Sequence, residues 1–407
     1  MSELRKLFEA CVAPSKKLTE SPHLWLYQNV LRSLLIRISG IFFLIVVPIL
    51  LWATPSKTSE VSNSKTIRVA IVKQAANVII DGKGLLVRNE KGGVVVVATP
   101  VRVTPGKNGI LAGGSEYQKL SFVSAEPVRV NGQPYRGMAE LSYEAPGILV
   151  VNELPLEDYL VGLINCEISS AWPVEAVKAQ AIVARSYALY RKMQKHDAPY
   201  HLESSVLDQV YKGSRTEDSR ARFAVSQTEG EVLMTYWGAI IQAFYHSSCG
   251  GRTESAENVW GIFQPYLKGV NCEYCLGSPS AIWAQKLSLS DIENKLRAAG
   301  FKISGVRDIK TGWRNNSGRM ENVTIVSDTD SLTLTGDQFR KTIGYGVVKS
   351  TNFTVKISGN YAVFNGKGNG HGVGMCQWGS RQRALNGFNY VEILSYYYPG
   401  TVLEKVY

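Results

Sequence analysis

A glutamate in apolar surroundings is the first candidate for chemistry in this chain of 407 residues. Glu167 lies among Ile164, Ile168 and Trp172. Apolar surroundings disfavour the charged form of a carboxyl group and raise its pKa, so such a glutamate keeps a proton that it can donate near neutral pH. Most glutamates beside a helix are instead solvated or act as caps, and the residues around Glu167 leave that interpretation open.

Three further segments have a composition that is typical of binding sites. Residues 207–213 (LDQVYKG) offer polar side chains for hydroxyl or amide groups, although a simple turn has the same composition. Residues 246–254 (HSSCGGRTE) follow an apolar strand pattern, and their two glycines let the backbone approach a ligand. Residues 366–379 surround His371 with glycines, but they lack the sequence of a phosphate loop or of a dinucleotide-binding turn, so we reject phosphate binding.

The elements that must position these residues alternate between strand and helix patterns. This indicates an α+β fold, with β-rich subdomains inside a large mixed region. Residues 66–150 are predicted to be mostly β. Residues 155–163 and 173–189 are predicted helices, since proline and acids open the first and alanine dominates the second. Residues 165–172, with Glu167, are expected to link these helices, because the residue before a proline is extended.

The second half of the chain is predicted to continue as mixed structure. Residues 221–245 return to a β pattern. Residues 286–360 indicate an α+β section, with helices over 289–296 and 336–343 and a strand over 323–326. We therefore divide residues 66–407 into a β-rich region (66–150) and a larger region (151–407) that contains the α+β section.

One long uncharged stretch, residues 38–56, is just long enough to span a bilayer. Basic residues precede it, so residues 1–37 are expected in the cytoplasm, followed by the anchor and a small polar linker (57–65). A cleaved signal peptide is the alternative, but the leader is long and no clear cleavage site follows. We expect a single-pass protein of the cell membrane whose C-terminal region lies outside the cytoplasm.

The formal net charge of +11 favours an anionic partner, which leaves nucleic acid, anionic lipid and the bacterial cell wall as classes to consider. No Lys/Arg run or alternation of aromatic and basic residues resembles a nucleic-acid module. We therefore expect no nucleic-acid partner.

Four residues have the spacing of a zinc site. His246, Cys249, Cys272 and Cys275 form a His-x2-Cys pair followed by a Cys-x2-Cys pair, which suits tetrahedral zinc. A disulfide among these cysteines is the alternative, since disulfides persist outside the cytoplasm, and small core residues are another. Zinc held by cysteines alone would leave His246 for substrate. Cys166, which is next to Glu167, and Cys376, which lies in the glycine-rich segment, are further candidates for either arrangement.

Taken in order, the motifs resemble the SpoIID/LytB domain of the stage II sporulation protein D family. The resemblance covers roughly residues 66–405 and is carried by EDYL (157–160), CEI (166–168), WP (172–173), AQAIVARSYA (179–188), DQVYKG (208–213), HSSCGGRTE (246–254), NVWG (258–261), YLKGV (266–270), STNF (350–353), GHGVGMCQWG (370–379) and YYPG (397–400). So many motifs in one order are specific. The chain has Glu-Ile-Ser where the family often has Glu-Met-Pro, which is a mild departure.

The resemblance implies a lytic transglycosylase, a lyase that remodels the cell wall and acts during sporulation in spore formers. It would cut the MurNAc–GlcNAc bond of peptidoglycan, on strands stripped of their peptides, and leave 1,6-anhydro-MurNAc ends. Glu167 is the implied acid/base, and some relatives carry zinc beside the cleft. Motif position assigns substrate binding to Arg185, Asp208, Gln209, Tyr211, His246, Ser247, Glu254, His371 and Gln377, of which Asp208 and Glu254 are also candidate second carboxylates.

The family also includes a different class of activity. Some relatives are wall-binding proteins that stimulate a partner N-acetylmuramoyl-L-alanine amidase, and this non-catalytic role is the alternative. An enzyme requires Glu167, whereas an enhancer does not. A redox role for Cys272 and Cys275 lacks the βαβ context that such motifs require.

Overall fold

Residues 65–96, 98–206 and 208–407 are described by the structure, which is a computed structural model. The predicted cytoplasmic segment (1–37), the predicted anchor (38–56) and all but the last residue of the predicted linker lie outside these residues. Within the described part of the chain, no helix is both long and apolar enough to cross a membrane. The anchor and the outward orientation of the C-terminal region therefore stay predictions.

Two sheets are built from the first strands of the described chain. In chain order, β1 to β13 are Thr66–Ala75, Val78–Asp81, Leu86–Asn89, Val94–Val95, Val101–Pro105, Ile110–Ala112, Ser115–Tyr117, Lys119–Val123, Val128–Val130, Gln133–Tyr135, Met138–Glu144, Gly147–Pro155 and Leu202–Glu203. One sheet has the order β13-β1-β12-β11-β8-β3-β4 and the other β10-β9-β2-β5-β6-β7. Alternate residues of β5 and β8 are buried, as expected for strands with one face on a core.

Helix α1 (Leu156–Glu167) follows β12 directly and shares the core of both sheets. It extends beyond the predicted end at residue 163, because nothing disrupts the helix before Ile168, whose backbone is extended and whose N–H donates to the carbonyl of Ile164. Glu167 is therefore the last residue of a rigid helix and not part of a loose link. Helix α2 (Val174–Gln194) starts after Pro173, close to the predicted position.

The prediction of β structure at the start of residues 221–245 was wrong, because helix α3 (Ser219–Gln227) occupies it. Asp218 caps this helix by accepting a hydrogen bond from the backbone N–H of Ala221. Strand β14 (Glu231–Thr235) follows. Tyr245–His246 (β15) is a strand of only two residues.

Short elements surround a second core that contains four cysteines. Two 3₁₀ turns lie at Gly213–Thr216 and Glu273–Cys275. The remaining elements of this part are α4 (Ala256–Trp260), β16 (Gly251–Arg252) and β17 (Asn271–Cys272).

A third core lies within residues 282–367. Its elements are β18 (Ile282–Ser288), α5 (Leu289–Ala298), β19 (Val306–Thr311), β20 (Asn322–Ser327), β21 (Ser331–Thr335), α6 (Gly336–Ile343), β22 (Phe353–Ser358) and β23 (Tyr361–Lys367). They form two three-stranded sheets, in the orders β18-β23-β22 and β19-β20-β21. The chain then returns to the second core through β24 (Met375–Cys376), α7 (Gln377–Leu385), α8 (Tyr390–Tyr397) and β25 (Thr401–Lys405).

Two long-range pairings join the end of the chain to its middle. β25 pairs antiparallel with β14, and β24 pairs in parallel with β15, which places His246 beside Cys376. The mixed α+β class predicted from the sequence is confirmed.

Candidate active site

Glu167 lies at the end of α1, where its carboxylate accepts a hydrogen bond of 3.0 Å from the backbone N–H of Val210. Burial is the main influence on this side chain and raises the pKa of Glu167 to about 7, against the hydrogen bonds from Val210, Tyr245 and Gln377, which lower it. At neutral pH a substantial fraction of Glu167 therefore carries a proton, as a general acid requires.

The carboxyl group borders a cavity of about 460 Å³, within the usual size of a ligand site. Polar groups from separate parts of the chain converge on it. Its lining includes Glu167, Tyr187, Asp208, Val210, Tyr245, His246, Ser247, Trp260, Asp337, Arg340, Tyr345, His371 and Gln377. Six of the predicted site residues are thus brought together, although they are spread over more than 200 positions of sequence.

This central cavity continues on both sides. A second cavity of about 270 Å³ shares Asp337, Arg340 and His371 with it. An open third cavity of about 470 Å³ shares Glu167, Ser247 and Gln377 with it, and there the rings of Trp172 and Trp378 meet edge to face at 5.1 Å. Glu167 therefore borders two of three connected cavities, which together suit an extended ligand with units on either side of the carboxyl group.

His246 is one of the residues that line the central cavity. Its Nδ1 lies 3.1 Å from the carbonyl oxygen of Val373, which accepts only, so Nδ1 carries the hydrogen. Burial holds the pKa of His246 well below its usual value, so the ring is neutral and Nε2 is an acceptor. Nε2 is buried without a protein partner in the described chain.

His371 packs against His246, with ring centroids 5.6 Å apart, and against Trp260 at 5.1 Å. Burial, and then the charges of nearby arginines, lower the pKa of His371 to about 3. The glycines around it have a steric role, since a Cβ on Gly370 (φ 108°) would lie 2.8 Å from the Cβ of His246. His371 is thus a neutral, packed wall of the cavity.

Asp208 also lines the central cavity, but its oxygens already have partners. It accepts hydrogen bonds from the hydroxyl of Tyr187 at 2.9 Å and the backbone N–H of Glu203 at 3.0 Å, and it pairs with Arg191 at 3.4 Å. These contacts fix Tyr187 and the end of β13. Asp208 is therefore less available than Glu167 to act on a ligand.

Gln209 and Tyr211, predicted to bind substrate, lie behind the cavity rather than in its wall. Gln209 is buried, accepts a hydrogen bond from Tyr159 at 2.9 Å and donates one to the hydroxyl of Tyr245 at 3.2 Å. Tyr211 is buried and donates to Asn152 at 3.2 Å. In the structure these two residues support the tyrosines and the sheet beneath the site.

Arg185, also predicted to bind substrate, is fully buried away from the central cavity. Its Nε and Nη2 donate to the carboxylate of Glu157 at 2.8 and 2.6 Å, and Nη1 donates to the carbonyl oxygen of Glu231 at 3.1 Å. The arginine therefore joins α1, α2 and β14. The motif position reflects an internal ion pair rather than a contact with ligand.

Replacing Arg185 with methionine is expected to lower the free energy of unfolding by about 3 kcal/mol, because the substitution leaves the Glu157 carboxylate without its cationic partner. Denaturant unfolding measures this loss. Arg297→Met is the matched control, since Arg297 pairs with Glu293 at the surface and such pairs contribute little. A weakened affinity for glycan with unchanged stability would return Arg185 to its predicted role.

Glu254 lies in the second cavity, not in the central one. One carboxylate oxygen accepts from the backbone of Ser255 at 2.8 Å and from Asn258 at 2.9 Å. The other accepts from Asn315 and Ser317, both at 2.5 Å. Glu254 therefore ties the 282–367 section to the loop after β16, and the structure favours a structural role over that of a second catalytic carboxylate.

Four buried thiols form a cluster in which the Sγ atoms of Cys249, Cys272, Cys275 and Cys376 all lie within 4.8 Å of one another. The Sγ atoms of Cys249 and Cys275 are 3.3 Å apart, beyond the roughly 2.05 Å of a disulfide. The described cysteines are free thiols. The prediction of His246 as a ligand is corrected: its paired neighbour Cys376 supplies the fourth thiol, while the His246 ring borders the cavity.

Sequence reasoning missed several residues of the cavity wall. Tyr245 and Trp260 lie within or beside segments that carry the family resemblance, so their position in the motifs was a usable signal. Asp337, Arg340 and Tyr345 come from the 282–367 section, where nothing in the sequence links α6 to Glu167. Their contribution depends on the tertiary fold.

Comparisons with known proteins match two separate parts of the chain to family models. Residues 144–236 match the family described as stage II sporulation protein (SpoIID), and residues 279–374 match a domain of unknown function (DUF8618). An uncharacterized protein of Brachyspira hyodysenteriae is 36% identical over 282 residues, which cover 69% of this chain and 75% of that protein.

Other relatives have descriptive names, and two of them are at least 30% identical to this chain. The amidase enhancer of Bacillus subtilis is 30% identical over 60% of this chain and 40% of its own length. The stage II sporulation protein D of Bacillus amyloliquefaciens is 30% identical over 63% of this chain and 76% of its own length. With the shared motifs around Glu167, His246 and His371, these matches show that the chain belongs to the stage II sporulation protein D (SpoIID) family.

Proposed function

We propose that this protein is a lytic transglycosylase that cuts the bond between MurNAc and GlcNAc in peptidoglycan strands. The observation that carries the proposal is the placement of Glu167: a carboxyl group with a pKa of about 7, fixed at the end of a helix and bordering connected cavities on two sides. Extended cavities suit a polymer, and a protonated carboxyl group supplies the acid that bond cleavage needs.

In the proposed reaction, Glu167 donates its proton to the glycosidic oxygen as the bond from MurNAc C1 to that oxygen breaks. The C6 hydroxyl oxygen of the same MurNAc then bonds to C1 and closes the 1,6-anhydro ring. The hydroxyl proton passes to the Glu167 carboxylate, which returns to its acid form. No water is consumed, and one carboxyl group serves both steps.

Neither of the two predicted second carboxylates favours a two-carboxylate hydrolase over this one-carboxyl scheme. Asp208 is engaged by Tyr187, Glu203 and Arg191, and Glu254 lies in the second cavity. His246 and His371, which also line the central cavity, would contact the sugar bound beside Glu167.

A wall-binding enhancer of an amidase is the second candidate, because one relative is named an amidase enhancer. Such a protein needs the connected cavities for glycan but has no use for a protonated Glu167. An amidase partner is compatible with both candidates, since it would remove the peptides from strands before they are cut.

Product analysis tests the proposal. The full-length chain is incubated with intact and peptide-stripped peptidoglycan, and soluble products are identified by mass spectrometry. Anhydro-MurNAc ends support the transglycosylase. Reducing ends would indicate hydrolysis by water, and retained binding without any product would favour the enhancer.

The cleavage rate is expected to fall as the pH rises through about 7, approaching tenfold per pH unit, because the acid form of Glu167 is lost there. His371, with a pKa of about 3, stays neutral over this range. Initial rates between pH 5.5 and 8.5 measure the profile, with strand binding followed at the same pH values as a control. A rate that increases through pH 7 would exclude Glu167 as the acid.

We also propose that the four clustered cysteines hold a structural zinc ion. Zinc–sulfur bonds of about 2.3 Å place tetrahedral thiolates about 4 Å apart, which the spacing of these four Sγ atoms accommodates. Four protein ligands leave no open position, as in structural sites. The ion would fix Cys376 and hence the adjacent Gln377, which hydrogen bonds to Glu167.

A further inference from the structure

Arg340 of α6 is a buried cation whose orientation is fixed by its surroundings. The residue is 7% exposed, its Nε donates to the carbonyl oxygens of Val348 and Lys349 at 3.0 and 3.2 Å, and its guanidinium lies 4.4 Å from the ring centre of Tyr345. Within the described chain, neither Nη has a protein acceptor. The Nε–H is therefore held by backbone, and both Nη groups remain for another partner.

Arg340 lines both the central and the second cavity. Asp337, one helical turn earlier, influences its charge but forms no ion pair with it among the described residues. Burial lowers the pKa of Arg340 to about 10, so it remains charged at neutral pH. A buried charge without a partner is costly, and a ligand that supplied an anion would remove that cost.

Arg319, in contrast, uses its Nη groups for hydrogen bonds within the protein. It is also buried and borders the second cavity, but its Nη atoms donate to the carbonyl oxygens of Cys249 and Arg252 at 3.1 and 3.3 Å. Among the buried arginines that line the described cavities, Arg340 therefore has both Nη groups free to donate hydrogen bonds to a ligand. A planar fork of two N–H donors matches a carboxylate.

We propose that Arg340 recognises a carboxylate on the wall glycan and so selects strands that contain muramic acid. The inference rests on the proposed function for its ligand. Two groups of peptidoglycan have this chemistry: the lactyl group of muramic acid, which is a free carboxylate when the peptide is absent and an amide when it is present, and the carboxylates of a stem peptide. Strands of GlcNAc alone have neither.

Binding in the Glu167→Gln background tests recognition without cleavage. The full-length chain with Glu167→Gln, alone or combined with Arg340→Gln, is titrated calorimetrically with peptide-stripped strands, peptide-bearing strands and chitohexaose. Loss of charge-assisted hydrogen bonds is expected to weaken binding of stripped strands about 10- to 100-fold. Binding of chitohexaose should change less than about twofold, since a neutral oligosaccharide makes no such bond.

Lys341→Gln is the matched control, since Lys341 is exposed on the same helix and its loss changes net charge equally. Arg340→Lys, which keeps the charge but not the fork, should restore part of the affinity. Loss confined to peptide-bearing strands would support carboxylate recognition and assign it to the peptide. Equal loss for chitohexaose and muramic-acid strands, or no loss for either strand type, would overturn the proposal whether or not the protein cleaves glycan.

Discussion

Glu167→Gln is expected to reduce glycan cleavage about 1000-fold or more while binding of the strands is retained. Glutamine keeps the size of the side chain, but its amide group is not acidic enough to protonate the glycosidic oxygen. The amide is also not basic enough to accept the proton of the C6 hydroxyl. General acid–base groups commonly contribute 10²- to 10⁴-fold, and here one residue serves both steps. Anhydro-MurNAc ends released over time, quantified by mass spectrometry, measure the loss.

The same substitution is expected to stabilise the protein above pH 7. The pKa of Glu167 is raised from 4.5 to about 7 in the folded chain, so the folded state binds the proton more tightly than the unfolded state. Its stabilising contribution is complete below pH 4.5 and is lost as the pH rises through 7, by about 3 kcal/mol in total. Glu167→Gln lacks this loss, so its melting temperature should exceed that of the wild type most clearly at pH 8.

Glu229→Gln is the control for both measurements, because Glu229 is exposed and lies outside the cavity walls described above. It should leave both the cleavage rate and the pH dependence of stability unchanged. Cleavage by Glu167→Gln at the wild-type rate would exclude Glu167 as the acid/base. If the wild type and Glu167→Gln differ in stability by the same amount at pH 5 and at pH 8, burial does not raise the pKa of Glu167.

The sequence predicts the apolar surroundings of Glu167 and much of the framework because these depend on local pattern. Proline and acids at the start of α1 and the alanine-rich α2 locate the two helices that flank Glu167. The bounds predicted for α6 coincide with Gly336–Ile343. The apolar neighbours of Glu167 also suggested the direction of its pKa shift, which follows from burial.

The wrong predictions of substrate-binding residues arise where one motif contains both residues that line the cavity and residues that are buried in the core. Arg185, Gln209 and Tyr211 occur in the same segments as cavity residues, yet helical and loop geometry point them into the interior. His246 and Cys376 are separated by 130 positions and become neighbours only through the parallel pairing of β15 and β24. Sequence spacing carries no information on such a pairing, so it identified three of the four clustered cysteines and placed a histidine where the fourth belongs.

Cys272→Ser is expected to abolish zinc binding and to destabilise the protein by more than about 4 kcal/mol, the range associated with loss of a metal site. Serine keeps the size of the side chain but is a poor zinc ligand. The purified wild-type chain should contain about one zinc per chain, measured by plasma mass spectrometry. The variant should contain none and should unfold at a lower denaturant concentration.

The cysteine cluster is close enough to the candidate active site that loss of zinc should also disturb the residues around Glu167. The Cys272 sulfur lies 3.1 Å from the hydroxyl of Tyr397, and a Cβ on Gly379 would lie 2.6 Å from the same sulfur, so the start of α7 packs directly on the cluster. Gln377, which begins α7, hydrogen bonds to Glu167. Cleavage should therefore fall with zinc content even at temperatures where the chain remains folded.

Cys166→Ser provides the comparison for metal content and stability, because Cys166 lies outside the cluster and its Sγ contacts the carbonyl oxygen of Gly162 at 3.4 Å. It should bind zinc as the wild type does. A wild-type chain without metal, whose stability is insensitive to chelators but falls on reduction, would instead indicate a disulfide among these cysteines. Because the proposed zinc site uses all four thiolates and one disulfide uses only two, replacing each cysteine in turn separates the cases: all four variants should lower the metal content, whereas only two should lose the disulfide.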